Sequence, residues 1–158
     1  MAMPYRASNR GNIQPMSTPS LYGCWLLETC RISFSDDRPP KEPFQHGMIS
    51  YHQSGHMQAC LSVHPRPQAS TKDLERGHKL SGEEKSLCFD QFLSYSGTFT
   101  LSSDQVHHHV LISLNPTVIG KTLTRTFHFE KEFLVLSYDY QVRENLSCHY
   151  ELRWKRAT

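Results

Sequence analysis

The strict two-residue alternation of the segment Leu93–Leu101 constrains the fold of this chain more than any other feature of its sequence. Its odd positions hold leucine, glycine and aromatic residues, whereas its even positions hold only serine and threonine. Since successive side chains of a β-strand point to opposite faces, this pattern predicts a strand with one face in the core and the other in solvent. Tyr95 and Phe99 are therefore expected to point inward.

Strand-like segments recur along the chain at regular spacing, with short turns rich in polar residues and glycine between them. The eight predicted strands are Leu21–Phe34, Gly47–His52, His56–Ser62, Leu93–Leu101, Val106–Leu114, Leu123–Phe129, Phe133–Tyr140 and Ser147–Arg156. One short helix is also predicted, because Ser81 and Glu84 fit the capping-box pattern S-x-x-E. The residues that follow at helical spacing are Leu87, Cys88, Gln91 and Phe92.

Eight strands joined by short turns predict an all-β fold: an eight-stranded antiparallel up-and-down barrel with one short helix. Closing the sheet removes its exposed edges, and a barrel of this size is about wide enough to hold one small ligand. We expect residues 21–158 to form this barrel domain and residues 1–20 to form a polar N-terminal arm. The polar stretch 64–79 is long enough for a lid, and an incompletely closed barrel edge would allow a homodimer.

Composition and charge argue against several other classes of protein. The 17 lysines and arginines nearly balance 15 aspartates and glutamates, and no long basic run occurs, which argues against a nucleic-acid partner. No apolar stretch is long enough to span a membrane, and residues 1–20 contain no signal-peptide pattern. The five cysteines lack a C-x-x-C pattern, which favours reduced thiols in the cytoplasm. No nucleotide-binding motif occurs, and no cofactor is predicted.

Alternation in the other strands places two ionisable side chains inside the predicted barrel. His108 shares a face with Val106, Val110 and other apolar residues, and Arg125 shares one with Phe127. The interior is otherwise aromatic and aliphatic. Apolar walls with a few polar groups are the usual make-up of a small-molecule pocket.

The strand motifs, taken in order, resemble those of a known family. They are Leu21-x-Gly23-x-Trp25-x-Leu27, Gly47-x-Ile49-x-Tyr51-x-x-x-Gly55-x-Met57, Tyr95-Ser-Gly-Thr-Phe99, His108-His109-Val110-x-Ile112-Ser113, Pro116 with Gly120, Arg125, and Leu152-x-Trp154-x-Arg156. Over residues 20–156 the chain resembles the short lipocalin-like domain proteins of bacteria and fungi. It departs from them at Cys24, where a small or hydroxyl residue is usual, and at 115–117, where an aromatic residue is common.

The resemblance implies an eight-stranded barrel that encloses a ligand. Fungal relatives and similar small barrels occur in natural-product pathways, where some act as cofactor-free isomerases or cyclases. We therefore expect a cofactor-independent isomerase or cyclase that acts on a hydrophobic natural-product intermediate held inside the barrel. The alternative is a carrier or binding protein for a small apolar metabolite, without chemistry.

Three residues are candidates for catalysis. His108 can take or give a proton near neutral pH, or else it is a structural histidine bonded to a tyrosine or a carbonyl group. Arg125 can clamp a carboxylate or an enolate oxygen, or else it packs on the tryptophan of the first strand, a role equally open to Arg153 or Arg156. Tyr95 can donate a hydrogen bond to a carbonyl group, although a core aromatic often serves packing alone.

The remaining site predictions concern substrate contacts and metal. The residues expected to contact substrate are Trp25, Tyr51, Met57, Phe99, Ile112, Phe127 and Tyr138. His107 and His109 share the outer face of their strand, where an H-x-H pair binds zinc only with a further ligand. No cysteine, histidine or glutamate at a suitable spacing completes such a set, so no metal site is predicted.

Overall fold

The computed structural model describes residues 20–66 and 80–158, which form eight antiparallel strands, one α-helix and one short 3-10 turn at Pro116–Val118. The elements are β1 (Gly23–Phe34), β2 (His46–Tyr51), β3 (His56–Ser62), α1 (Gly82–Asp90), β4 (Phe92–Ser102), β5 (Gln105–Ser113), β6 (Thr122–Glu130), β7 (Phe133–Arg143) and β8 (Leu146–Arg156). Each strand pairs with the next, and β8 pairs with β1 to close a barrel. The predicted fold is confirmed. Residues 1–19 of the predicted arm and 67–79 of the predicted loop lie outside the described residues.

A tryptophan and an arginine from β1 and β8, the two strands that complete the sheet, pack against each other. The Arg156 guanidinium lies 4.1 Å from the ring centroid of Trp25. It also donates hydrogen bonds to the carbonyl oxygens of Ser20 and Tyr22, at 2.6 and 2.8 Å. The Trp25 indole N–H donates to the carbonyl oxygen of Leu21 at 2.9 Å. Arg156 therefore fills the packing role on the first tryptophan, which leaves Arg125 available for the interior.

The helix begins as its sequence predicts. The Glu84 amide donates to Ser81 Oγ at 3.1 Å, and the Ser81 amide donates to the Glu84 carboxylate at 2.9 Å, which completes a capping box. The helix ends at Asp90, earlier than the spacing predicted, because Phe92 already begins β4. None of its residues is buried. No helix in the described parts of the chain has the length and apolar character needed to cross a membrane.

Ile112 was predicted to point inward, and this prediction is wrong. Tyr95 lies opposite Ser113 and Gly97 lies opposite Val110, so β5 contains one extra residue at this point. Such a β-bulge shifts every later residue of the strand to the other face. Ile112 consequently lies on the outer surface, where 69% of it is exposed.

The closed sheet also bears on self-association. Strands β1 and β8 pair along most of their length, which closes the barrel. Pairing is incomplete elsewhere, since β1 pairs with β2 only over Gly23–Leu26 apart from one bridge between Ile32 and Lys41. Dimerisation stays a prediction.

Candidate functional site

The barrel encloses a cavity of about 350 Å³. Its apolar wall includes Ile49, Ala59, Leu61, Leu136, Leu152 and Trp154. Its polar or ionisable side chains are those of Cys30, Tyr95, His108, Arg125, Tyr138 and Tyr150. This volume and this mixture of groups are typical of a site for one small, largely apolar molecule.

The structure brings only some of the predicted site residues into the cavity wall. The three candidates for catalysis, Tyr95, His108 and Arg125, line it together with Tyr138. Five other residues that were predicted to contact substrate lie inside the barrel but do not line the cavity. They are Trp25, Tyr51, Met57, Phe99 and Phe127. Ile112 lies outside the barrel, as described above.

Other residues that line the cavity were not predicted. Pro43 and Phe44 come from the connection between β1 and β2, a segment with no alternation to mark an inner face. Cys30 lies beyond a second irregularity, between Leu27 and Thr29, which alters the register of β1 against β8. The apolar residues of the first strand indicate that it is buried. Which residues in the second half of this strand face the cavity depends on the bulge.

His108 is fully buried and is held by two tyrosines. Its Nε2 lies 2.8 Å from the Tyr51 hydroxyl, and its Nδ1 lies 2.9 Å from the Tyr95 hydroxyl. Burial, and to a smaller extent the positive charge of Arg125, lower the pKa of His108 to about 3. At neutral pH the ring is therefore uncharged, with one nitrogen that donates and one that accepts.

The burial of Tyr51 fixes the direction of these two hydrogen bonds. Among the described residues its hydroxyl bonds only to His108, so its proton must be donated to Nε2 to avoid a buried, unpaired O–H group. The His108 Nδ1–H then donates to the Tyr95 oxygen. As a result, the hydroxyl proton of Tyr95 is free to point into the cavity that Tyr95 lines.

Arg125 supplies the positive charge of the site. Its guanidinium carbon lies 3.7 Å from the ring centroid of Tyr138, and its Nη1 donates to the carbonyl oxygen of Thr124 at 2.9 Å. Burial raises the pKa of Tyr95, and Arg125 opposes this rise through its charge and a hydrogen bond. Burial also raises the pKa of Cys30 to about 11. Among the described residues that line the cavity, Arg125 alone is therefore charged at neutral pH.

A second cavity, of about 400 Å³, adjoins the first. The residues shared by the two cavities are Phe44, Leu93, Tyr95 and Arg125. The outer one is also lined by Phe89 and Asp90 of α1 and by Val118 of the 3-10 turn. Tyr95 and Arg125 thus lie where the two cavities meet.

The other two histidines of the His107–His109 run lie on the outer face of β5, as predicted. His107 hydrogen-bonds to Ser102 and Thr124, and His109 to Thr100 and Thr122, all at 2.8–3.0 Å. Each imidazole is therefore engaged by cross-strand hydroxyl groups. Within residues 20–66 and 80–158, no three histidine, cysteine or acidic side chains come together as a metal site.

Comparison with known proteins agrees with this architecture. A sequence model described as the lipocalin-like domain matches residues 22–157, which is nearly the whole of the described barrel. No curated protein matches the chain. The match spans all eight strands and includes Trp25 and Arg156, which pack together near its two limits. The chain therefore belongs to the lipocalin-like domain family.

Proposed function

We propose that the barrel binds a small hydrophobic intermediate of secondary metabolism through a carbonyl or enol oxygen, and that it promotes isomerisation or cyclisation of this molecule without a cofactor, in the cytoplasm. The observation that supports this most is the hydrogen-bonded series from Tyr51 through His108 to Tyr95, which presents one phenolic proton to an apolar cavity. Arg125 stands beside that proton as the charged group of the wall.

These groups suit a reaction in which negative charge develops on a substrate oxygen. Tyr95 donates a hydrogen bond to that oxygen, and Arg125 stabilises its charge in surroundings of low polarity. His108 orients Tyr95 and stays neutral, because its pKa lies far below neutral pH. Because His108 is a weak base, the proton that leaves the substrate carbon passes to water, and a proton returns from water to complete the isomerisation. The apolar wall folds the substrate, so that position and electrostatics supply the acceleration.

The carrier alternative is favoured by one observation. Both nitrogens of His108 are occupied by tyrosine hydroxyls, and its low pKa makes it a weak base at neutral pH. A substrate proton would then have to leave to water. A protein that only carries its ligand would use the same contacts with Tyr95 and Arg125 for recognition alone.

The two functions can be separated with 2-tetralone, a compact apolar ketone that exchanges its α-protons through its enol. We expect the protein to accelerate deuterium uptake from heavy water, followed by NMR, and Tyr95→Phe to reduce that acceleration about tenfold to a hundredfold. Tyr140→Phe is the matched control, since Tyr140 is exposed and outside the cavity. A ketone that binds with no acceleration in the wild type would instead establish a carrier.

The role of Arg125 predicts a preference for anionic ligands. Biphenyl-4-carboxylate and its neutral carboxamide have nearly the same shape, so the difference between their affinities reports on charge. Arg125→Met should weaken carboxylate binding about tenfold to a hundredfold and leave carboxamide binding nearly unchanged, by calorimetry. The control is Arg153→Met, which removes an outward arginine paired with Glu130. An equal loss for both ligands in Arg125→Met would contradict the assignment.

A further inference from the structure

The second cavity described above, the outer cavity, is lined by apolar side chains that the fold leaves uncovered. Phe89 of α1 is 45% exposed, and Leu93 and Leu114 are each 37% exposed. The other apolar side chains of its wall are those of Phe44, Phe92, Val118 and Leu123. Exposed apolar side chains that gather in a concave surface are typical of a binding site. The outer cavity is therefore suited to hold part of a ligand.

Two polar side chains of the outer cavity are already bonded within the protein. The Ser113 hydroxyl donates to the carbonyl oxygen of Ser94 and accepts from the Asn115 amide, both at 3.1 Å. The side-chain oxygen of Asn115 accepts from the amide and the hydroxyl of Thr117, at 3.0 and 2.8 Å. Asp90 adds a carboxyl group to the wall, which disfavours an acidic group of the ligand at this place. What the outer cavity offers to a ligand is therefore mainly apolar contact.

The boundary between the outer and the enclosed cavity is formed by the residues that line both. Phe44 and Leu93 are its apolar part, and Tyr95 and Arg125 are its polar part. The Arg125 guanidinium has five N–H donors and uses one for the carbonyl oxygen of Thr124, so donors remain for a ligand oxygen. A molecule that occupies both cavities crosses this boundary, and its middle part then lies against Tyr95 and Arg125.

We propose that the outer cavity binds a second apolar part of the ligand, so that the ligand class is an elongated molecule whose reactive oxygen lies between two apolar parts. This inference rests on the proposed function for the contact of that oxygen with Tyr95 and Arg125. One apolar part fills the enclosed cavity of about 350 Å³, and the other covers Phe89 and its neighbours in the outer cavity of about 400 Å³. The residues that line only the outer cavity thus determine specificity and touch no reacting atom.

Three ketones separate the position of the oxygen from the size of the ligand. Phenylacetone has one benzyl group on its carbonyl carbon, and dibenzyl ketone has two. The third ketone, 4-biphenylylacetone, is an isomer of dibenzyl ketone that has both rings on the same side of the carbonyl group. We expect dibenzyl ketone to bind the wild type about tenfold more tightly than either of the other two, by calorimetry, because it alone places a ring in each cavity.

Variants of the outer cavity should remove this gain. Phe89→Ala in α1 and Val118→Ala in the 3-10 turn should each weaken dibenzyl ketone about threefold to tenfold and leave phenylacetone nearly unchanged. The matched controls are Leu87→Ala and Ile119→Ala, which remove exposed apolar side chains that line neither of the two cavities. Both controls should bind all three ketones as the wild type does.

The variant Tyr95→Phe separates this inference from the proposed function. It should weaken phenylacetone and dibenzyl ketone by the same factor, because both keep the carbonyl group. The inference alone is wrong if Tyr95→Phe has this effect but Phe89→Ala and Val118→Ala leave the affinity for dibenzyl ketone unchanged, or if 4-biphenylylacetone binds as tightly as its isomer. If Tyr95→Phe weakens neither ketone, the carbonyl oxygen is not bound at the boundary and the proposed function fails as well.

Discussion

Acidification from pH 7 to pH 4 is expected to lower the free energy of unfolding by about 3 kcal/mol through His108 alone. The pKa of this residue in the folded barrel is about 3, against 6.5 for an ordinary imidazole, chiefly because burial disfavours the charged ring. Between these values the unfolded chain binds a proton that the folded chain does not. The stabilisation is therefore complete above pH 6.5, and it falls by about 1.4 kcal/mol per pH unit as the pH drops towards 3.

Urea unfolding followed by tryptophan fluorescence at half-unit steps of pH measures this slope. The interval from pH 6.5 to 4.5 reports mainly on histidines, because ordinary carboxyl groups titrate mostly below it. The chain has ten histidines, so variants are needed to identify the one responsible. The variant His108→Gln removes the titrating group, and the matched control His109→Gln removes its neighbour on the outer face of β5. We expect the slope to persist in the control and to diminish in His108→Gln. Equal slopes in the two variants would exclude His108 as the source.

The sequence predicts that Tyr51, Tyr95 and His108 lie on the inner faces of their strands, but it does not show that their side chains are in contact. Alternation is a local property, so it predicts correctly that Tyr51, Tyr95 and His108 point into the barrel. The bond between Tyr51 and His108 joins β2 and β5, which are not neighbours in the sheet. Their contact depends on the curvature and register of the closed barrel, which no single strand encodes.

The roles of the arginines differ in the same way, because one follows from alternation within a strand and the other depends on pairing between strands. Strand β6 has no bulge, and its exposed and partly buried residues alternate along its whole length, so Arg125 points inward as predicted. The arginine that packs on Trp25 could not be chosen from spacing alone. Pairing of β1 with β8 places Arg156 opposite Trp25 and turns Arg153 outward to Glu130.

Ile112 shows that one extra residue in a strand is enough to make a prediction from alternation wrong. Its segment has apolar residues at every second position, but the bulge in β5 reverses the faces after Val110. A signal for this was present in the partner strand, since an isolated glycine inside a strand often marks a bulge or a close backbone approach. That glycine is Gly97, which lies opposite the start of the bulge.

Replacement of Gly97 by alanine is expected to destabilise the barrel by about 3 kcal/mol. A Cβ atom at this position would lie 1.9 Å from the carbonyl oxygen of His109 and 3.0 Å from the amide nitrogen of Leu111. Both are backbone atoms of β5, so the clash cannot be relieved by a change of side-chain rotamer. The strands must separate or the bulge must rearrange, and either change breaks hydrogen bonds between β4 and β5.

The matched control is Gly82→Ala, at the first residue of α1. No atom lies within 4 Å of the Cβ that this substitution would add. Alanine also restricts the unfolded chain, so we expect this variant to be as stable as the wild type or more stable by about 0.5 kcal/mol. Urea midpoints of the two variants, measured at neutral pH, give the comparison. A Gly97→Ala midpoint equal to that of Gly82→Ala would mean that β4 and β5 can part at the bulge without cost. The tight backbone contact would then not be what maintains the bulge that places Ile112 on the outer surface.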